Sequence, residues 1–367
     1  MKEKLLAVVD GCTDRIVSMA DFIFDHPETA FQETRASSLL ADFLEEEGFA
    51  VERGLGSLPT AFRAVWERGS GGPVFGLLCE YDALEMGHAC AHHLQGPAVV
   101  AAAKALKDVD GPPVRLVVYG TPAEEGGGGK IRMLAEGYLS ELDVALMMHG
   151  GPATQTDVKS LAAATVVLEF QGRSSHAALK PEAGRSALDA LLLAIKAVEF
   201  LREHGPEDAR MHYTVLDAGG PANVVPARAA GEFSLRSYSS FTLDNLVNRL
   251  DKIARGAALM TETEYSLTLK KRLEAKIPVE SLNRILMENA AFVDSPNRKP
   301  PRERTGSSDF GNVQHRVPGS CIRVAFVDEG VSSHSEGFLA EGKTERGHRA
   351  AVLGAKILAA TVWDLLT

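Results

Sequence analysis

Positive charge is in short supply in this chain. Lysine and arginine number 39 against 49 aspartates and glutamates, a formal net charge of −10. With no basic excess to offset phosphates, neither a nucleic acid nor a membrane surface is an expected partner. An anionic small molecule stays open, because it needs only local positive charge. Long apolar runs are missing too, and no stretch reaches membrane-spanning length. The opening Met1-Lys2-Glu3-Lys4-Leu5-Leu6 is charged, and its apolar continuation is broken by Asp10, which is not the pattern of a secretory signal. Cysteine is scarce: Cys12, Cys79, Cys90 and Cys321 show no disulfide-framework spacing, and a chain of 367 residues needs none. The expected localisation is therefore a reducing, cytoplasmic one. There is no internal repeat and no low-complexity tract. What remains is an ordinary globular composition, long enough for two domains or one domain with an insertion.

Against that background one stretch stands out. Gly87-His88-Ala89-Cys90-Ala91-His92-His93 places three histidines and a cysteine within seven residues. Borderline transition metals favour thiolate sulfur and imidazole nitrogen, and packing alone rarely gathers four such groups. A strand-like apolar run, Pro73 to Glu80, precedes the cluster, and a helix-like run from Gly96 to Leu106 follows it. The cluster thus occupies a loop between a strand end and a helix start, where open α/β sheets bind ligands.

The rest of the chain reads as alternating elements. Residues 1–25 have helical periodicity, stopped at His26-Pro27-Glu28. Thr34 is expected to cap a helix over Arg35 to Glu47, closed by Gly48. Thr60–Glu67 and Pro73–Glu80 read as paired strands around the turn Gly69–Gly72. Val114–Gly120 and Val144–Met148 are continuous apolar strands of a covered sheet, separated by a helix ending near Glu136. Between about 160 and 275 the order changes to βαββαβ, the ferredoxin-like unit. The α/β rhythm then resumes with a helix over Val279–Ala291, a strand over Ser320–Phe326 and a terminal helix over Thr344–Leu366. The expected architecture is α/β: a doubly wound catalytic-type domain over 1–160 and 276–367, interrupted by a lid-type domain over 161–275.

Several groups that can do chemistry follow strand ends: Cys90 and His92, then Glu124-Glu125, then His149, and His334 in a late loop. If the strands are parallel, these ends share one rim, and the side chains could hold one or two transition-metal ions. In the doublet, one carboxylate could ligate while the other acts as general base for a metal-activated water. Gly126 to Gly129 lack the lysine-serine/threonine arrangement of a phosphate loop. Asp82 is either a turn residue or the partner that orients a ligating histidine. His176 and Asn223, each in a small-residue stretch, are either connections or an oxyanion stabiliser and a substrate binder. The basic loop Arg298, Lys299, Arg302 and Arg304 reads as a solvated face, with carboxylate recognition as the alternative.

Taken jointly and in order, His26-Pro27-Glu28, Tyr81-Asp82-Ala83-Leu84, Gly87 to His93, Thr121 to Lys130, Met148-His149, Gly172 to Ala178, Gly219 to Pro226 and Ser308 to Val313 span nearly the whole chain. On these motifs the sequence resembles the aminoacylase and carboxypeptidase-G-like metallohydrolases (metallopeptidase family twenty). Within them it is similar to the branch of hippurate, indole-acetyl-amino-acid and p-aminobenzoyl-glutamate hydrolases, the last most of all. The resemblance implies two divalent transition-metal ions, zinc or manganese first, cobalt or nickel next. It implies Cys90 as bridging ligand, with His92, Glu125, His149 and His334 completing the site. Glu124 would be the general base, and His176 would stabilise the oxyanion in the partner subunit's site. Asn223 would hold a substrate carboxylate or carbonyl, and the lid would form a homodimer. The implied reaction is cleavage of the amide of an N-acyl or N-aroyl amino acid. Two positions depart from the family motif: Ala91 replaces a glycine, and His93 an aspartate or asparagine. His93 could ligate metal in place of His92, bind an anionic substrate as a cation, or mark another substrate class, such as an aromatic amine or a small dipeptide. A metal-binding homologue without catalysis is a further alternative, against which the intact Glu124 argues.

Overall fold

The computed structural model describes residues 1–156, 158–302 and 305–367; Arg304 lies outside them. It divides into two compact units, one of Met1–Lys159 with Lys276–Thr367, the other of Ser160–Ala275.

The first unit begins with helices α1 (Lys2–Gly11), α2 (Thr13–Asp25) and α3 (Thr34–Glu46). Strands β1 (Ala50–Leu55), β2 (Leu58–Arg68) and β3 (Val74–Cys79) come next, then α4 (His92–Asp108), β4 (Val114–Gly120), α5 (Gly129–Ala135), β5 (Val144–Gly151) and β6 (Gln155–Thr156). The second unit holds β7 (Ala162–Gln171), α6 (Ala187–Leu201), β8 (Arg210–Asp217), β9 (Arg228–Ser237), α7 (Ser240–Thr261) and β10 (Glu264–Leu273). The first unit then resumes with α8 (Glu280–Phe292), α9 (Phe310–Gln314), β11 (Gly319–Ala325), α10 (Glu336–Ala340) and α11 (Glu345–Leu366).

Its sheet runs β1-β2-β4-β3-β5-β11-β6. The central four strands are mutually parallel, and β1, β2 and β6 are antiparallel additions. Alternate residues of each central strand enter different cores. Leu116, Val118, Leu146, Met148, Ile322 and Val324 pack on the side of α1–α4 and α11. Val117, Tyr119, Ala145, Met147 and Cys321 pack with Met133, Leu139 and Phe310. Both faces are covered, which is why these strands read as unbroken apolar runs. The doubly wound α/β expectation holds.

Three local expectations need correcting. The first 25 residues form two helices, because the chain leaves helical geometry at Cys12 (φ −99°, ψ 1°). Thr34 does not cap α3. The Glu28 carboxylate does, accepting the Arg35 N–H at 2.9 Å, the Ala36 N–H at 3.1 Å and the Thr34 hydroxyl at 3.1 Å. The negative charge also sits favourably at the helix N-terminus. Finally, β2 and β3 are not partners, since β4 lies between them. The Gly69–Gly72 turn therefore spans two strand spacings, about 9–10 Å, rather than one. It passes so close to the start of β4 that a Cβ on Gly72 would stand 2.1 Å from the Pro113 carbonyl oxygen.

The second unit is an antiparallel sheet ordered β10-β7-β9-β8. Helices α6 and α7 share its core through Ala190, Leu191, Ala194, Leu246 and Leu250. This is the ferredoxin-like βαββαβ arrangement.

Candidate metal centre

The parallel strands deliver their C-terminal ends to one rim of the first unit. Glu80 follows β3, Glu124 and Glu125 follow β4, and His149 is near the end of β5. Cys90 and His92 reach the same place because the chain turns sharply into α4. Ala91 makes that turn in the left-handed region, at φ +68°. That conformation favours glycine, so Ala91 keeps the Cys-x-His spacing at a backbone cost.

Cys90, His92 and Glu125 have ligand atoms within 4.8 Å of one another, and so do Glu80, His92 and His149. His334 joins through its Nε2, 3.0 Å from Glu125 Oε1. A backbone bond from the His334 N–H to the Ala89 carbonyl holds its loop there. Asp82 ties two of the ligand segments together. One of its carboxylate oxygens is 3.1 Å from His92 Nδ1, and the other accepts the Glu125 N–H at 2.9 Å. The Asp82 carbonyl lies 3.0 Å from the same His92 nitrogen. With Nδ1 so occupied, Nε2 is the nitrogen His92 has left for an ion.

Burial lowers the His92 pKa, but the charges of Cys90, Asp82 and Glu80 outweigh it and hold the pKa well above its usual range, so an ion binding at Nε2 displaces a proton. Burial pushes the Cys90 thiol up to about 11, partly offset by His92. Burial lowers the His149 pKa well below its usual range, and the Arg323 guanidinium adds to the shift. Its ring is therefore neutral, as a ligand must be. His149 Nδ1 lies 2.7 Å from the Gly150 carbonyl and 3.2 Å from Arg323 Nη1; the shorter contact places the proton on Nδ1 and leaves Nε2 as the acceptor. Burial, then the charges of Glu80, Asp309 and Glu125, push the Glu124 carboxyl up to about 8. A carboxylate poised near neutrality is suited to taking and returning a proton.

A buried network borders Glu124 that the sequence did not single out. Lys130 Nζ lies 2.5 Å from Glu80 Oε1 and 2.7 Å from Asp309 Oδ1. Asp309 also accepts the Lys130 N–H at 3.1 Å, and Gln95 Nε2 donates to Glu80 Oε2 at 2.8 Å. All four side chains are buried. Carboxyl oxygens of Glu80, Glu124 and Asp309 lie within 4.8 Å of one another. The signal available for Glu80 was its position: it ends an apolar strand, as Glu124 and His149 do.

The glycine run after Glu125 serves packing. A Cβ on Gly129 would stand 1.8 Å from the Pro122 carbonyl oxygen. Buried Glu33 anchors the same loop, accepting the Ala123 and Phe31 N–H groups and the Thr60 hydroxyl, each at 2.9 Å. It thereby fixes Ala123 (φ +58°), the residue before Glu124.

His93 is not in this group. It is buried, 3.0 Å through Nε2 from the Gly342 carbonyl and edge-on to Phe24. Burial holds its pKa well below the usual range, so it is neutral and offers no cation to a substrate. His176 and Asn223 belong to the second unit, where they lie on adjoining loops, both exposed. The Ala177 N–H donates to the Asn223 carbonyl at 2.9 Å. His176 Nδ1 accepts from the Ala178 and Leu179 N–H groups at 3.2 and 3.3 Å. The ring proton must then sit on Nε2, which leaves a free N–H donor.

Comparison with known proteins places the chain. The description "Peptidase dimerisation domain" of the M20 family matches residues 159–261. A p-aminobenzoyl-glutamate hydrolase chain of Escherichia coli (strain K12) is 32% identical, over 97% of this chain and 90% of its own. The chain belongs to the M20 family. The Xaa-Arg dipeptidase of Mus musculus is also 32% identical, over 100% of this chain and 89% of its own. A solved dinuclear metal-binding peptidase of the M20 family from Bacillus subtilis shares the fold, with TM-score 0.75 at 18% identity over 97% of this chain and 99% of that one. This M20 protein is thus a hydrolase of amide bonds, with a catalytic domain and a lid domain. Its donor set of one thiol, imidazoles and carboxylates fits borderline transition ions better than calcium or magnesium, which take oxygen.

Proposed function

We propose that this M20 enzyme hydrolyses the amide bond of an N-acyl or N-aroyl amino acid, using two divalent transition-metal ions held by Cys90, His92, Glu125, His149 and His334. Zinc or manganese is the first choice of ion, cobalt or nickel the next. The observation that carries the reading is Glu124, raised to about 8 beside two overlapping ligand groups. Bound there, the ions would supply Lewis-acid polarisation and a more acidic water. Glu124 takes the proton of the attacking water and returns it to the leaving amine. The partner subunit's His176, with its proton on Nε2, donates to the carbonyl oxygen as negative charge develops. Asn223 holds the substrate carboxylate or carbonyl, and Asp82 orients His92.

The lid is proposed to form a homodimer. In support, β8 is an outer strand and exposes Tyr213, Val215 and Leu216. An edge of this kind is a template for strand pairing. None of the four cysteines is in a disulfide, in keeping with a reducing, cytoplasmic setting. Among the described residues no helix is long and apolar enough to cross a membrane.

A second reading, a small dipeptide as substrate, is favoured by the likeness to the Xaa-Arg dipeptidase. Turnover of the metal-loaded enzyme on N-acyl amino acids, N-aroyl amino acids, dipeptides and arylamines separates these readings. Cleavage of N-acyl or N-aroyl amino acids above all others supports the first; no turnover on any member, with metal bound, sinks both.

A further inference from the structure

The five ligands proposed above leave one metal-facing carboxylate without a part. Glu80 is buried at the end of β3, and its Oε2 lies 3.3 Å from His92 Nε2. That nitrogen is the one His92 has free, because Asp82 takes Nδ1. Two donors each about 2.0–2.2 Å from a shared ion, at angles between square and tetrahedral, stand roughly 3.0–3.5 Å apart. The Glu80–His92 separation falls in that window. His149 completes the triangle, with a ring nitrogen within 4.8 Å of a Glu80 carboxylate oxygen and a His92 ring nitrogen.

The surroundings of Glu80 are those of a ligand rather than of a mere counterion. Ligating carboxylates are themselves hydrogen-bonded from behind, and this fixes their direction. Lys130, anchored by Asp309, holds Oε1, and Gln95 donates to Oε2. Gln95 also accepts the Glu80 N–H through its own amide oxygen, so backbone and side chain are both located. Oε2 keeps a lone pair for the side on which His92 lies.

We infer that Glu80 is a protein ligand of one of the two metal ions, and that the two ions are therefore unequal. The inference rests on the dinuclear reading above. Glu80, His92 and His149 would hold one ion. Cys90, Glu125 and His334 would hold the other.

The test is metal retention, measured apart from activity. Wild type and Glu80→Gln are loaded with zinc, dialysed against a weak chelator and analysed for metal. The substitution keeps the shape of the side chain and leaves the Lys130–Asp309 pair intact, so folding, checked by near-ultraviolet circular dichroism, is expected to survive. Wild type should hold two zinc ions, and Glu80→Gln one, with the second bound at least about 10–100-fold more weakly. Two ions of unchanged affinity in the variant would overturn the assignment. Should the variant fail to fold, anomalous diffraction from zinc-loaded wild-type crystals decides. A Glu80 oxygen about 2.0–2.2 Å from one ion upholds the assignment, and a gap beyond about 3 Å overturns it. Wild type that takes up no metal would instead remove the metallohydrolase reading, and this inference with it.

Discussion

Replacing Glu124 with glutamine should remove activity and add stability, and both effects come from one feature. The carboxyl of Glu124 is raised from its ordinary value of 4.5 to about 8 by burial and by Glu80, Asp309 and Glu125. In the unfolded chain the group ionises near 4.5; in the metal-free native protein it resists ionising until about 8. A raised carboxyl pKa means that the unfolded state releases its proton first, so native stability falls as pH rises between these values. At about 1.36 kcal/mol per unit, the penalty is under about 1 kcal/mol at pH 5 and roughly 3 kcal/mol at pH 7. It levels off above pH 8. Glutamine carries no such charge, so metal-free Glu124→Gln should gain on wild type by these amounts along the same pH course. Turnover should meanwhile drop by about 10²–10⁴-fold, the usual worth of a general base, or roughly 3–5 kcal/mol in the barrier. Metal content should not change. Urea denaturation of the chelated proteins at pH 5, 7 and 8, with kcat on the best substrate of the panel, covers both arms. A variant with near-normal turnover removes Glu124 from the base role. A stability difference that does not grow between pH 5 and 8 refutes the buried-charge argument, whatever the activity.

Other expectations follow from single contacts. Cys90 is protonated until about pH 11, so binding an ion must displace its proton; below that pH, apparent affinity should rise by about tenfold per unit for this proton. Cys90→Ala should lose metal and shed one proton from the slope of affinity against pH in a competition titration; a full complement in the variant would mean the site is built without the thiol. His93→Asn should leave metal content and KM within about twofold, while Tm falls from lost packing against Phe24; a large change in KM would return His93 to the substrate. Glu33→Ala strands the buried Ala123 N–H, at about 1–3 kcal/mol, also removes the acceptor of the partly buried Phe31 N–H, and frees the segment that carries Glu124. Lower stability together with lower kcat is expected, and undiminished kcat in the folded variant would show that the loop needs no anchor.

The centre was legible in the sequence wherever its chemistry is rare. Three histidines and a cysteine in seven residues have few explanations, and the strand-end positions of Glu124, Glu125 and His149 follow from short apolar runs that alternate with helices. His93 shows where such reading stops. Neighbours on a helix start face different directions, so His92 and His93 carry the same chemistry in the sequence and separate only when α4 is placed. Then one ring turns to Asp82 and the other to Phe24 and Gly342. Pairing of β2 with β4 rather than β3 was hidden for a similar reason. A glycine-rich link of four residues reads as a hairpin whether it spans one strand spacing or two, and only the packed sheet chooses.

By itself, then, the sequence determined which side chains can bind metal, which segments form strands and helices, and that a ferredoxin-like unit interrupts the α/β rhythm, because periodicity and donor chemistry are local. Tertiary structure alone decided what those side chains face. Glu80, Lys130 and Asp309 are separated by up to 309 − 80 = 229 residues in the chain, and nothing in their spacing announces a shared buried cluster. They meet because parallel strands bring distant ends to one rim, and because a buried lysine is stable only where carboxylates surround it.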